Sequence, residues 1–282
     1  MKPQERTYES SDGTPLPMWV WQPARPRAGL VYLHGIQSHS GWYEASSRHL
    51  AEAGVAVYQV ERRGSGRDTA HERGHVDRAE TWIDDVEAAA GLARRETGLA
   101  QVHLMGVSWG GKLALACAGR RPHLYRSLIL SAPGILPLVD VVLLLKVRIG
   151  KCLMAGEELA RFPIPLEDPH LFTENPERVR YIAEDPLSLR DLTARFMFES
   201  RRLDTLAREA APAVRSPVFL ALAERDRIIN NDATRALYYS MPVRRRTVTY
   251  PAAHHTLEFE PDPSAYFRDL VAWIDDVEGQ GP

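Results

Sequence analysis

Apolar residues in this chain gather in short continuous runs separated by longer stretches of helical period. Gly29-Leu30-Val31-Tyr32-Leu33, Val55-Ala56-Val57-Tyr58-Gln59-Val60, Val102-His103-Leu104-Met105, Ser127-Leu128-Ile129-Leu130 and Pro217-Val218-Phe219-Leu220-Ala221-Leu222 are too short for helices and too uniformly apolar for half-exposed strands. They predict strands buried on both faces, the signature of a parallel sheet. Met18-Trp19-Val20-Trp21 and Arg246-Thr247-Val248-Thr249-Tyr250 read as further strands. Between the runs, helices are expected over 42–53, ending at Gly54, over 78–95 with Trp82, Val86, Ala89 and Ala90 in one stripe, near 232–239, and over 265–277 with Phe267, Leu270, Val271 and Ile274 toward the sheet. Strands alternating with helices imply parallel units joined by crossovers, an α/β fold with a mostly parallel central sheet.

The rhythm breaks after Ser131-Ala132-Pro133-Gly134. From 135 to 211 the chain is mainly helix-like, with several prolines and scattered aromatics at Phe162, Phe172, Tyr181, Phe196 and Phe198. The expected organisation is a core of 1–134 and 212–282, with 135–211 as a helical cap inserted before the next core strand. The apolar residues of 135–153 suit either contact with a membrane surface or plain packing of the cap on the core.

Composition narrows the partners. A net charge of -2 over 282 residues gives no global field for nucleic acid or anionic lipid. Arg62-Arg63 and Arg244-Arg245-Arg246 lie among acids and read as solvated faces. With two cysteines no disulfide framework is expected, and the first residues lack the apolar core of a signal peptide, so the expected compartment is cytoplasmic. The longest apolar run contains Pro137 and Asp140 and falls short of the roughly 20 residues of a membrane span. An integral membrane segment is therefore not expected, and transient contact with a membrane surface stays open. His71-Glu72-Arg73-Gly74-His75 has zinc-like spacing but a glycine and a loop setting, and no dinucleotide fingerprint follows the early strands. Neither a metal nor a dissociable cofactor is expected.

The chemistry concentrates at Gly106-Val107-Ser108-Trp109-Gly110, between a strand and a helix-compatible stretch. That context is what a nucleophile elbow needs, with glycines clearing a sharp turn around an exposed serine. Asp226 and His255 each follow a later strand, giving the order Ser, Asp, His. His255 would take the serine proton and Asp226 would hold the imidazole tautomer. Glu224 and Asp232 are alternative acids, and His254 is an alternative base. The N–H groups of Trp109 and of Ile36, in Leu33-His34-Gly35-Ile36-Gln37, are the candidate oxyanion donors, with Gln37 as runner-up. His34 is expected to support that loop, and Glu258 and Glu260 to be helix-start or surface residues.

On Leu33-His34-Gly35, Gly106-Val107-Ser108-Trp109-Gly110-Gly111, Asp226 and His255, the chain resembles an α/β-hydrolase of the monoacylglycerol lipase and lysophospholipase-like group. The resemblance implies oxyanion donors at Ile36 and Trp109 and a cap over an acyl pocket. It also implies hydrolysis of a carboxylic ester, such as a monoacylglycerol, a lysophospholipid or a smaller acyl ester, through an acyl-enzyme. Thioesters, amides and activated carbon–carbon bonds can use the same serine, and a catalytically silent binding protein on the same scaffold is the reading from a different class.

Overall fold

The computed structural model describes residues 1–280. Positions 281 and 282, the end of the expected 212–282 core segment, lie outside the described residues. The chain opens with β1 (Gln4–Glu9), β2 (Pro15–Trp21), β3 (Ala28–Leu33), α1 (Glu44–Glu52), β4 (Val55–Val60), α2 (Ala79–Thr97), β5 (Val102–Val107), α3 (Trp109–Arg120) and β6 (Tyr125–Ser131). There follow α4 (Leu143–Met154), β7 (Arg161–Pro163), α5 (Pro176–Glu184), β8 (Asp191–Thr193) and α6 (Ala194–Ala210), and then β9 (Val218–Ala223), α7 (Asn231–Ser240), β10 (Arg245–Tyr250) and α8 (Ser264–Glu278).

Eight strands form one sheet in the order β1-β2-β4-β3-β5-β6-β9-β10. All pairs from β4 to β10 are parallel, and β2 meets β1 and β4 antiparallel. Strands β3, β4, β5 and β9 are buried at every position, in keeping with their near-continuous apolar runs, which only Gln59 in β4 and His103 in β5 interrupt with a polar side chain. Strand β1 was not expected: its sequence Gln-Glu-Arg-Thr-Tyr-Glu is mostly polar because it is an edge strand, and only Tyr8 is buried.

Three local expectations need correction. The predicted 42–53 helix divides into a 3-10 turn at Ser40–Tyr43, whose N-terminal Gly41 N–H is taken by His39, and α1. In α8 the buried residues are Tyr266, Leu270, Trp273, Ile274 and Val277, while Phe267 and Val271 are half-buried. The large ring decides this face: Trp273 stacks on Phe219 at 5.8 Å and its Nε1 donates to Ser127 Oγ at 3.0 Å. The Arg62-Arg63 pair is buried rather than solvated. Arg63 makes a two-pronged pair with Asp85 on α2, at 2.5 and 2.9 Å, which ties the loop after β4 to that helix.

The stretch between β6 and β9 sits before the acid-bearing strand, as expected, but it is not purely helical. Strands β7 and β8 pair antiparallel, with Arg161 opposite Thr193. Helix α6, started by Thr193 accepting from the Phe196 N–H, lies along α3. Helix α4 touches α6 through a small cluster of Ile149, Phe162 and Ala194. Most of 135–153 does not pack the insertion on the core, because Leu138, Val142, Leu143, Leu144 and Val147 are exposed.

Glu258 also departs from expectation, being buried against α1, where it accepts from the Ser46 N–H at 2.9 Å and from Ser46 Oγ. Burial pushes its carboxyl up to about 7, with the Ser46 bonds pulling the other way. A folded-state value above the unfolded one contributes stability that is present below about pH 4.5 and lost as pH rises through about 7. Urea titrations should therefore show Glu258→Gln and the parent alike near pH 4. The parent should lose ground to the variant, on the order of 2–3 kcal/mol, by pH 8. A constant difference across that range would exclude the buried carboxylate as the cause.

Candidate active site

Strand β5 ends at Val107 and α3 starts at Trp109, leaving Ser108 alone to make the turn with φ 54° and ψ -124°. A non-glycine residue held there stores strain of about 1–3 kcal/mol and persists only when its surroundings enforce it. Two backbone donors do so, Gly111 N at 2.8 Å and Gly134 N at 2.7 Å, both on the Ser108 carbonyl. Close approach explains the elbow glycines: a Cβ on Gly106 would stand 2.2 Å from the Gly110 oxygen, and one on Gly110 would stand 2.5 Å from the Leu33 oxygen.

The late loops bring their side chains to this point. Ser108 Oγ lies 2.8 Å from His255 Nε2, and His255 Nδ1 lies 2.7 Å from Asp226 Oδ2. The other Asp226 oxygen accepts from the N–H groups of Ile228 and Ile229 at 2.8 and 3.1 Å, which fixes the carboxylate in place. With Asp226 accepting from Nδ1, the imidazole presents Nε2 as an acceptor to the serine hydroxyl. His255 is buried and has the Phe172 ring edge-on at 5.9 Å.

The competing residues lie elsewhere. Asp232 is exposed and pairs with Arg235, Glu224 accepts from the Ala252 N–H, and His254 turns to Glu260 at 3.1 Å. Ile36 and Trp109 both border the cavity above Ser108. Among the described residues, no acceptor takes the N–H of either one. The backbone N–H of Gln37, the runner-up, likewise has no acceptor among the described residues, but Gln37 does not border that cavity and its side-chain amide donates to the Leu166 carbonyl.

His34 supports the loop as expected. Its Nδ1–H donates to the Gly35 carbonyl at 2.8 Å and its Nε2 accepts from the Arg62 N–H at 3.1 Å. Burial drives its ionisation well below the ordinary histidine value, which suits this neutral tautomer.

Arg62 was missed in the sequence. Its guanidinium donates to the carbonyls of Gly35 and Ile36 at 3.0 and 2.8 Å and lies 4.5 Å from the centre of the Trp109 ring. One side chain thus touches both residues that carry the candidate oxyanion donors. Burial lowers its ionisation to about 9, so it stays charged at neutral pH. The available signal was its place just after β4, at the carboxyl edge of the sheet where such folds build their sites.

Above Ser108 is a cavity of about 340 Å³. Ile149, Leu153, Ile164 and Leu166 supply an apolar side, and Lys112, Ser200 and Asp204 a polar one. Among the described residues no group of three or more His, Cys, Asp or Glu is placed to hold a metal ion, and no helix is long and apolar enough to cross a membrane.

Comparison with known proteins agrees with this architecture. Residues 24–262 match the family model described as serine aminopeptidase, S33. The monoacylglycerol lipase of Mycolicibacterium smegmatis is 25% identical over 273 residues, covering 96% of each chain. The human monoglyceride lipase is 26% identical over 272 residues, covering 94% of this chain and 88% of its own. Among solved structures, a soluble variant of monoglyceride lipase from Saccharomyces cerevisiae superposes with a TM-score of 0.85 at 19% identity, covering 98% of this chain and 96% of its own. A thermostable carboxyl esterase from Bacillus coagulans gives 0.82 at 17% identity, with 99% of each chain covered. The family match spans the elbow, the acid and the histidine on an eight-stranded α/β sheet, and the chain belongs to the serine aminopeptidase S33 family of α/β-hydrolases.

Proposed function

We propose that this protein cleaves carboxylic esters of small or medium acyl groups through an acyl-enzyme on Ser108. The observation that carries this reading is the unbroken chain from Ser108 Oγ to His255 Nε2 and from His255 Nδ1 to Asp226, beneath a largely apolar cavity. In the first step Oγ attacks the ester carbonyl while His255 takes its proton, and Asp226 stabilises the imidazolium. The N–H groups of Ile36 and Trp109, with the N-terminus of α3 behind Trp109, take up the charge on the carbonyl oxygen. His255 then hands its proton to the departing alcohol, and the same groups activate water to release the acid.

Residues 135–211 serve in this reading as the cap that encloses the acyl group, and the exposed apolar side chains of α4 offer transient contact with a lipid surface. A monoacylglycerol or lysophospholipid would suit the cavity, in keeping with the lipase names of the relatives. The family's aminopeptidase name is less well served. Recognition of a free α-amine asks for an unpaired carboxylate, yet Asp204 and Asp140 in the cavity wall are already paired with Lys112 and Lys146.

Arg62 acts as a positioning residue in this scheme, since it holds the Gly35-Ile36 backbone against Trp109. A fluorophosphonate probe should label the folded protein at Ser108 and leave Ser108→Ala unlabelled. Ester turnover should fall on the order of 10^4-fold in Ser108→Ala and in Asp226→Asn. Absence of labelling in the folded parent would point to the silent scaffold, and a panel preferring thioesters or amides to esters would replace the ester assignment. Arg62→Met should lower kcat by about 10^2-fold with KM little changed, because a shifted oxyanion loop affects the transition state more than the ground state. Unchanged kcat would remove Arg62 from the account.

A further inference from the structure

Met197, Ser200, Arg201 and Asp204 share one face of α6 and line the cavity, and Lys112 of α3 joins them from below. Ser200 and Lys112 are 8% and 5% exposed. The Lys112 ammonium uses all three donors: on Asp204 Oδ1 at 2.6 Å, on the Ser200 carbonyl at 3.1 Å and on Ser200 Oγ at 3.0 Å. Trp109 Nε1 donates to that same Oγ at 2.9 Å. A hydroxyl has two lone pairs and one proton, and an indole N–H and an ammonium can only donate. Both lone pairs of Ser200 are therefore occupied, and its proton must go elsewhere. Among the described residues no acceptor is in reach of it.

We propose that the Ser200 hydroxyl binds an oxygen of the substrate, so that the acyl groups this cavity favours carry an uncharged carbonyl oxygen some way along the chain. The inference rests on the ester-hydrolase reading and names its substrate class. Buried donors in native proteins are paired, and a bound acceptor would complete this one. Accepting from an ammonium polarises the hydroxyl and strengthens its O–H as a donor. At the hydroxyl itself an anionic group fits less well, because Lys112 has no donor to spare, while Lys146 and Arg201 in the same lining are paired with Asp140 and Asp204. Ser108 and Ser200 line the same cavity, so the oxygen that Ser200 would meet belongs to the molecule whose ester lies at Ser108. Ile149, Leu153 and Ile164 face the remaining carbons.

The test compares kcat/KM for p-nitrophenyl octanoate, a series of p-nitrophenyl oxo-octanoates with the keto group moved one carbon at a time, and the ω-carboxylate analogue. One keto position is expected to exceed the plain octanoate by about tenfold. That ratio should collapse toward one in Ser200→Ala, and in Ser200→Cys, whose thiol is a weak donor and which serves if the alanine variant does not fold. Equal rates at every keto position, a preference that survives both substitutions, or a preference for the ω-carboxylate would overturn the inference. Failure of the parent to cleave any of these esters would instead bring down the ester-hydrolase reading on which it rests.

Discussion

Two backbone hydrogen bonds onto the Ser108 carbonyl, from Gly111 and Gly134, hold this residue in a conformation it would not otherwise adopt. One of these donors lies in the first turn of the helix that carries Trp109 and Lys112, and the other belongs to the loop leaving β6. The elbow therefore sets in one place the candidate nucleophile, a candidate oxyanion donor and the entry into the insertion.

The environment around the elbow is built from buried charge as much as from apolar packing. Arg63 is spent on Asp85 and Asp12, whereas Arg62 meets backbone carbonyls and aromatic faces. A guanidinium suits that setting because it is planar, forked and more weakly hydrated than an ammonium. Lys112 and Asp204 link α3 to α6, so the insertion is attached to the helix that follows Ser108 through a buried ion pair and the Ser200 contact with Trp109. Such a pair contributes little net stability, but it specifies how the two helices sit together.

The outer part of the insertion is held differently. Helix α4 has a single buried residue, Ile149, and much of its apolar surface faces outward. Few buried contacts and exposed backbone place a segment at the low end of local stability, which is where elements that admit ligands are drawn from. The tightly bonded α6 and the lightly bonded α4 thus form the two sides of one cavity.

Much of this was legible in the chain. Near-continuous apolar runs such as Val55 to Val60, broken only by Gln59, correspond to buried parallel strands because only such strands are apolar on both faces, and the elbow was readable because its glycines and serine fall within five residues. The order Ser108, Asp226, His255 and the place of the insertion are likewise properties of sequence. Other features depend on partners far away along the chain. Glu258 is buried only because Ser46 supplies its donors, and Arg62 looked solvated until the Gly35-Ile36 loop and the Trp109 ring closed around it. The choice of His255 over His254 and of Asp226 over Glu224 rests on which side chains face the elbow. Periodicity encodes the face a residue shares with its neighbours in sequence, whereas burial of charge and direction of a loop side chain are decided by non-local contacts, and those exist only once the sheet has assembled.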